Sequence, residues 1–311
     1  MTTKIFVALS TFAEHGDEPL KALQESGFPF FINPLGRRLV RDEIVEMGRT
    51  CLGVVAGVEP YDEDVLERMP ELRCISRCGV GIDNIDLEAA RRRGIAVLNT
   101  PDVVVQPVAE LTVAMIFDLL KKLSFLTSRM KAGHWEKSTG QLLAGRSAGV
   151  LGLGRIGRRV AEILAKLDCR VSGSDLSPDR EWARRAGVAI VEPEVLLADS
   201  EILTLHLSAP KGNTIRIGEN EIGKMKRGAI LINTARGQLV DEQALYRALC
   251  EGRLGGAALD VFPEEPYRGI LCGLDNVVLT PHIATLTKES RVQMELDAAL
   301  NLIRFLKGEK Q

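Results

Sequence analysis

Two hydrophobic patterns alternate along the chain. Short runs of consecutive apolar residues, such as 5–9 and 202–207, predict strands that are buried on both faces. Between these runs, apolar residues recur every three or four positions, as they do on the buried face of a helix. Strands that alternate with helices in this way predict an α/β protein with doubly wound parallel sheets.

The first hundred residues predict one compact α/β unit. Its strands are expected at 5–9, 28–33, 51–56, 74–76 and 95–98, and its helices at 19–26, 41–47, 62–68 and 87–93. A long apolar helix is then predicted from Val104 to Leu123, with Pro107 in its first turn, where proline is tolerated. A helix that is apolar nearly all round has to be buried, either centrally or in a subunit interface. The following residues, 128–146, predict a more polar connection in which Trp135 is an interface anchor.

The remaining residues predict a second α/β unit and a closing helix. Strands are expected up to residue 151 and at 170–174, 188–191, 202–207, 229–233, 256–259 and 277–279, with helices from 156 and at 193–198, 218–225 and 242–251. A final amphipathic helix is predicted at 290–306. A length of 311 residues agrees with two domains.

A glycine motif stands where the second unit begins. Gly152, Gly154 and Gly157 have the G-x-G-x-x-G spacing, after a predicted strand and at the start of a predicted helix. Gly152 allows a tight turn, Gly154 lets the backbone approach a pyrophosphate, and Gly157 lets helix and strand pack closely. The helix N-terminus then offers unpaired N–H groups and a positive dipole end to the phosphates. The alternative is a purely structural glycine turn.

An acidic residue indicates which dinucleotide is bound. Asp175 ends the next predicted strand, 23 residues beyond Gly152. A carboxylate there accepts hydrogen bonds from the adenosine ribose and repels a 2′-phosphate. The three residues after it are not basic, so the pattern favours NAD over NADP.

Charge and cysteine content exclude other classes of function. The net charge is −2 and the basic residues are scattered, which argues against binding to nucleic acid or to an anionic membrane surface. The N-terminus has no signal-peptide pattern and no apolar run reaches the ~18 residues of a membrane span, so a cytoplasmic location is expected. The six cysteines form no C-x-x-C pair and no zinc-binding set, so no metal site is predicted.

Polar residues at three strand ends suggest chemistry. Arg236 follows the strand at 229–233, and its planar guanidinium suits a carboxylate. Glu265 follows the strand at 256–259, and His282 follows the last strand, where a histidine suits proton transfer. Taken singly, Arg236 is as consistent with a surface ion pair and His282 with a core histidine. Together, beside a dinucleotide fold, they predict hydride transfer on a 2-hydroxy or 2-oxo acid.

The chain resembles the D-isomer-specific 2-hydroxyacid dehydrogenases. The resemblance rests on the glycine motif, Asp175 and the segments Gly79-Val80-Gly81-x-Asp83-Asn84, Val108-Ala109-Glu110-Leu111-Thr112, Asn233-Thr234-Ala235-Arg236-Gly237, Leu259-Asp260-Val261-Phe262, Glu265-Pro266 and Pro281-His282-Ile283. It covers nearly the whole chain. Within the family the chain looks nearest to short forms of D-3-phosphoglycerate dehydrogenase.

The resemblance implies specific roles for these residues. His282 would be the acid and base, Glu265 its partner, and Arg236 the residue that holds the substrate carboxylate and carbonyl. The substrate would also contact Arg77 and the backbone amides of Val80 and Gly81. NAD would be held by Gly152, Gly154, Arg155, Ile156, Gly157, Asp175, His206, Leu207, Thr234, Ala235 and Asp260, with Asp260 at the nicotinamide amide.

The resemblance also implies the domain organisation. A Rossmann NAD-binding domain, residues 99–285, would be inserted in a flavodoxin-like substrate domain formed by residues 1–98 and 286–311. A homodimer would form through the NAD domain and the helix that begins at Val104.

Departures from the family pattern leave the substrate open. Arg77 matches one of the basic residues that phosphoglycerate enzymes direct at the phosphate, and D-3-phosphoglycerate is the expected substrate. Ala56 stands where another arginine is common, with an acid shortly after it, which favours the alternative of a glyoxylate or hydroxypyruvate reductase. Cys78 stands beside the substrate loop as a filler or an oxidation-sensitive wall. An NAD-sensing regulatory protein of the corepressor type is a more distant alternative, because fold alone does not determine function.

Overall fold

The computed structural model describes residues 4–208 and 216–309, which form two compact units. The first comprises Met1–Val104 and Leu286–Gln311, and the second comprises Val105–Thr285. The second unit is therefore inserted in the chain of the first. Elements are numbered in chain order, and each unit is described by itself.

The first unit contains a five-stranded parallel sheet. Its elements are β1 (Ile5–Val7), α1 (Glu18–Glu25), β2 (Phe30–Ile32), α2 (Arg41–Gly48), β3 (Gly53–Ala56), α3 (Glu63–Glu67), β4 (Cys74–Arg77), α4 (Leu87–Arg92), β5 (Ala96–Leu98) and α12 (Lys288–Leu306). The strand order is β2-β1-β3-β4-β5, which is the flavodoxin-like order. The central strands carry fully buried apolar residues on both faces, as the continuous apolar runs predict.

The last helix of the chain packs on this first sheet. The Ser76 hydroxyl on β4 donates to the Ala298 carbonyl oxygen on α12 over 2.7 Å. A Cβ atom at Gly53 would lie 2.5 Å from Leu302, so the glycine lets α12 approach β3 closely. Periodicity alone predicts this helix but not the sheet on which it packs.

The second unit contains a seven-stranded parallel sheet. Its elements are α5 (Val105–Lys121), α6 (Leu123–Lys131), β6 (Ser147–Leu151), α7 (Arg155–Lys166), β7 (Arg170–Ser174), α8 (Arg180–Ala186), β8 (Ala189–Ile190), α9 (Pro193–Asp199), β9 (Ile202–Leu205), α10 (Glu219–Lys224), β10 (Ala229–Asn233), α11 (Glu242–Cys250), β11 (Leu254–Leu259) and β12 (Val277–Leu279). The order is β12-β11-β10-β9-β6-β7-β8, which contains the Rossmann order. Apolar clusters cover both faces of this sheet. The predicted fold class, two doubly wound parallel-sheet units, is confirmed.

Two details of the helices differ from the sequence prediction. The long apolar helix ends at Lys121, because Lys122 adopts a left-handed backbone (φ 57°), and α6 then occupies part of the predicted polar connection. Helix α8 was not predicted. Its signals are an N-cap aspartate, Asp179, which accepts from the Trp182 N–H at 3.0 Å, and the left-handed Gly187 at its end.

Candidate active site

Packing requires two of the three glycines in the turn between β6 and α7. Gly152 has φ +97°, and a Cβ there would lie 2.6 Å from the carbonyl oxygen of His206. A Cβ at Gly157 would overlap the carbonyl oxygen of Gly152. The turn is therefore held against β9 and against its own helix by close backbone contacts.

Gly154 has a different reason to be glycine. A Cβ there would meet no protein atom within 4 Å, so the packing of the chain does not demand a glycine. Gly154 is the N-cap of α7, and no side chain in the described structure caps this helix start. Open space at the Cβ position of the N-cap of a 12-residue helix fits the approach of a pyrophosphate to that helix end. These residues therefore fit the phosphates of a dinucleotide such as NAD.

Asp175 lies one residue beyond β7 and supports the same turn. Its Oδ2 accepts the Leu153 N–H at 2.7 Å and its Oδ1 accepts the Ser177 N–H at 2.9 Å. Each carboxylate oxygen can accept a further hydrogen bond, so a ribose hydroxyl can still be bound. The carboxylate thus orients the glycine turn as well as offering acceptors to a ribose.

His206 follows β9 and lies beside the glycine turn. Its Nε2 is 2.9 Å from Thr204 Oγ1, and burial lowers the pKa of the ring to about 3. The imidazole is therefore neutral near pH 7 and is unsuited to donate a proton. Together with Leu207, it forms part of the wall that a Cβ at Gly152 would strike.

The turn after β10 presents Arg236 on a buried support. The fully buried Asn233 closes this turn, because its Oδ1 accepts the Ala235 N–H at 3.1 Å and its Nδ2 donates to the Arg236 carbonyl at 2.8 Å. Thr234 Oγ1 is 2.9 Å from Thr112 Oγ1 on α5. The sequence analysis assigned no role to Asn233 or Thr112. Both stand in segments on which the family resemblance rests, and that was the one indication of their importance.

His282 and Glu265 form a pair at the carboxyl end of the sheet. His282 Nδ1 lies 3.0 Å from Glu265 Oε2 and 3.2 Å from Oε1, and Glu265 Oε1 also accepts the Phe262 N–H at 3.1 Å. Both side chains are accessible, with 52% and 38% exposure. Because a carboxylate acceptor draws the proton of the imidazole to Nδ1, Nε2 becomes the nitrogen for proton exchange with a substrate.

Asp260 is fully buried and supports the segment that carries His282. Its Oδ1 accepts from the Thr280 hydroxyl at 2.5 Å and from the Ile283 N–H at 2.8 Å, and its Oδ2 accepts the Ala284 N–H at 2.9 Å. His282 itself has φ +55°, a left-handed conformation that needs such support. The structure thus gives Asp260 a positioning role that sequence reasoning did not include, while its predicted contact with the nicotinamide stays a prediction.

The three strand ends that carry these side chains are neighbours. Strands β10, β11 and β12 are consecutive in the sheet, so Arg236, Glu265 and His282 all follow the same edge. The structure brings His282 and Glu265 into direct contact. This edge therefore carries a guanidinium and a histidine–carboxylate pair.

The predicted substrate residues of the first unit lie at the end of β4. Arg77 pairs in register with Ala56 of β3, and its guanidinium packs against Gly79 (φ +129°) so closely that no Cβ fits there. The Gly79 N–H donates to Thr100 Oγ1 at 2.8 Å, and Asn99 Nδ2 donates to the Val80 carbonyl at 2.9 Å. The loop that continues to Gly81 is therefore held in place within its own unit.

Other kinds of site have no support in the described residues. Across 4–208 and 216–309, no group of three or more His, Cys, Asp or Glu side chains is arranged to hold a metal ion. In that same part of the chain, every helix is too short or too polar to cross a membrane. Cys78 is buried, and burial raises the pKa of its thiol to about 12, which favours the filler over the oxidation-sensitive wall.

Comparisons with known proteins relate most of the chain to one enzyme family. Residues 113–284 match the profile described as D-isomer specific 2-hydroxyacid dehydrogenase, NAD binding domain. The chain is 39% identical over 273 residues to a D-3-phosphoglycerate dehydrogenase of Archaeoglobus fulgidus, an alignment that covers 86% of this chain and 52% of the relative. It is 37% identical over 275 residues to a glyoxylate reductase of Korarchaeum cryptofilum, covering 86% and 83% of the two chains.

A solved structure extends the likeness to the whole fold. A protein of Thermus thermophilus superposes with a TM-score of 0.91 at 33% identity, over 99% of this chain and 98% of that chain. The chain thus spans about half the length of the matched phosphoglycerate dehydrogenase but most of the matched glyoxylate reductase. NAD is the dinucleotide of the matched domain.

Proposed function

Because the chain belongs to the D-isomer specific 2-hydroxyacid dehydrogenase family, we propose that it transfers a hydride between a D-2-hydroxyacid and NAD. The observation that carries this proposal is the His282–Glu265 pair at the carboxyl edge of the NAD-binding domain. Ligands of doubly wound sheets bind at that edge.

The chain has residues for each part of a dinucleotide. The turn from Gly152 to Gly157, including Arg155 and Ile156, would hold the pyrophosphate, and Asp175 the ribose. The predicted contacts at the adenosine and nicotinamide ends are His206, Leu207, Thr234, Ala235 and Asp260. NAD supplies the hydride acceptor in one direction and, when reduced, the hydride donor in the other.

Proton transfer is the task of His282. In oxidation, its neutral Nε2 takes the proton of the substrate hydroxyl, and Glu265 stabilises the resulting imidazolium through Nδ1. In reduction, the imidazolium returns that proton to the carbonyl oxygen. His206 is excluded from this role, since burial lowers its pKa to about 3 and leaves it uncharged near pH 7.

Arg236 orients the substrate. Its planar guanidinium binds a carboxylate through two parallel hydrogen bonds and polarises the adjacent carbonyl. The Asn233 side chain, buried beneath it, holds the turn in the required conformation. In the first unit, the amides of Val80 and Gly81 and the guanidinium of Arg77 are the proposed further contacts for the substrate.

Two hypotheses about the substrate have support. Relatives are named both D-3-phosphoglycerate dehydrogenase and glyoxylate reductase. Arg77 supports the sequence-based expectation of D-3-phosphoglycerate, and with it a part in serine biosynthesis. Ala56, which pairs with Arg77 in register and carries no charge, supports glyoxylate or hydroxypyruvate instead.

We also propose that the protein forms a homodimer and that it is located in the cytoplasm. Large apolar side chains on and after α6 are exposed, with 54% for Leu123, 56% for Met130, 79% for Trp135 and 72% for Leu142. A second copy of this chain would cover them, because an isolated domain rarely leaves such a group in water. Sedimentation of the wild type and of Trp135→Ser tests this, and a monomeric wild type contradicts it.

The function is tested by following NADH with purified protein. The substrates are 3-phosphoglycerate, 3-phosphohydroxypyruvate, glyoxylate, hydroxypyruvate, pyruvate and 2-oxoglutarate. D and L isomers are compared for every corresponding hydroxyacid except glycolate, which has no stereocentre. Turnover confined to D isomers supports the proposal. Binding of NADH without turnover of any substrate overturns it and favours the NAD-sensing regulator.

A further inference from the structure

The topology of the first sheet indicates where a ligand binds to it. In the order β2-β1-β3-β4-β5 the strand order reverses between β1 and β3, which are parallel neighbours, and ligands bind in the crevice outside the carboxyl ends of such a strand pair. The loop after β3 contains Gly57, Val58 and Glu59. Glu59 is therefore at the topologically favoured position for contact with, or influence on, a ligand.

Glu59 is buried and immobilised. Only 3% of its surface is exposed, and its Oε2 accepts the Gly57 N–H at 2.8 Å. Its own carbonyl accepts from Asn84 Nδ2 at 2.6 Å. A buried carboxylate needs such partners and opposite charges nearby, because desolvation opposes its ionisation.

Two arginines on separate elements bring positive charge to the loop that carries Glu59. Arg38 comes from the segment before α2 and donates to the Val58 carbonyl, and Arg77 comes from the end of β4. Burial raises the pKa of Glu59, while the Gly57 N–H and the two guanidinium groups oppose that shift.

A second ion pair near this edge is already complete. Arg291 and Glu295 on α12 are 2.5 Å apart with side-chain exposures of 12% and 2%, and Glu295 also accepts the Ala13 N–H at 2.8 Å. Arg291 further donates to Thr11 Oγ1 at 3.1 Å, so this pair fixes the loop after β1. The positive charge of Arg291 is therefore already neutralised by Glu295.

We propose that Glu59 is a specificity-determining residue that selects against substrates with a phosphate as their distal group. Two arginines on separate elements are what a phosphate dianion requires, and here a buried internal carboxylate lies in the loop that both approach. A phosphate would meet a fixed, buried negative charge, whereas a hydroxyl, methyl or hydrogen would meet none. This inference rests on the proposed function and narrows it to unphosphorylated 2-oxo acids.

The test compares two substrates that differ by a single phosphoryl group. The ratio of kcat/KM for 3-phosphohydroxypyruvate to that for hydroxypyruvate is measured with NADH for the wild type, Glu59→Gln and Glu59→Asp. Both substrates are assayed on the same preparation, so the ratio is independent of the fraction of folded protein. We expect Glu59→Gln to raise the ratio about tenfold or more, since a unit charge near the phosphate is removed.

The two variants and a surface control separate charge from packing. Glu59→Asp retains the charge and is expected to keep the low wild-type ratio. Glu63→Gln removes an exposed carboxylate that pairs with Arg92 at 2.6 Å in the same unit, and it is expected to leave the ratio unchanged. A ratio in Glu59→Gln equal to that of the wild type overturns this inference alone. Absence of turnover by the wild type of all six substrates named above overturns the proposed function as well.

Discussion

Two halves of one sheet edge are built on different principles. The nucleotide half, at the ends of β6, β7 and β9, consists of the glycine turn, Asp175 and His206. The proton-transfer half, at the ends of β10, β11 and β12, carries Arg236, Glu265 and His282. In the first, backbone atoms pack so closely that a Cβ is excluded at two positions, and the histidine is neutral. In the second, the histidine and its glutamate are accessible to water.

This difference follows from what each half has to do. Binding a pyrophosphate needs fixed N–H groups and no bulk, which glycines and close packing supply. Exchanging a proton with a substrate needs an accessible titratable group held in one orientation. The proton-transfer half meets both needs by placing the exposed His282 on a segment anchored by the buried Asp260. The backbone around His282 is thus held in one conformation, while its imidazole stays accessible to a substrate.

The largest effect is expected for His282→Asn. Loss of the general acid and base should lower kcat by about 10²–10⁴-fold while NADH still binds, as measured by turnover and by fluorescence titration. Glu265→Gln should lose less, because the imidazole remains. Near-wild-type turnover of His282→Asn would remove this residue from the mechanism.

Substitutions of Gly157 and Gly154 should distinguish a glycine needed for packing from a glycine needed for the approach of a ligand. Gly157→Ala forces a Cβ onto the Gly152 carbonyl and should cost about 3 kcal/mol of unfolding free energy. Gly154→Ala meets no protein atom, so its melting temperature should match the wild type, whereas its Kd for NADH should rise by about tenfold. Equal NADH affinity in Gly154→Ala and wild type would contradict a phosphate cradle at this turn.

Asp260→Asn tests whether the buried support controls the exposed histidine. An amide N–H would face the donors from residues 280–284, at a cost of about 2 kcal/mol. Because the segment that orients His282 loosens, we expect kcat to fall by a larger factor than the Kd for NADH rises. Thr280→Val removes one of the three hydrogen bonds and should give a smaller loss in the same direction. A fall in stability without any fall in kcat would reduce Asp260 to a purely structural residue.

The smallest effect concerns acid stability. His206 has a pKa of about 3 when folded, against 6.5 for the unperturbed side chain, so between these values the unfolded chain binds a proton that the folded protein does not. Stability should therefore fall as the pH drops below 6.5. Urea unfolding at pH 7 and pH 5 should show a loss for the wild type that exceeds that of His206→Asn by about 1–2 kcal/mol. Parallel losses in the two proteins would contradict a partly buried His206 with a lowered pKa.

The sequence by itself determined the local features of this protein. Period and spacing predicted the parallel α/β sheets, the glycine turn and the acid that follows β7, because each depends on neighbouring residues. The strand-end positions of His282, Glu265 and Arg236 were also predicted, since strands of a parallel sheet end at one edge. Their roles remain proposals, although the His282–Glu265 contact agrees with them.

Contacts between residues that are far apart along the chain could be known only from the tertiary structure. Only packing shows that α12 covers the first sheet and that Asp260 supports the segment around His282 across more than twenty residues. The apolar spacing predicted that the long helix continues to Leu123, but it ends at Lys121. The spacing of apolar residues carries no information on the left-handed backbone of Lys122 that ends it. Likewise, the sequence shows an acid shortly after Ala56, but only the structure shows that the Glu59 carboxylate is buried and held by the Gly57 N–H. Long-range electrostatics depends on distance in space, and a linear pattern does not contain that distance.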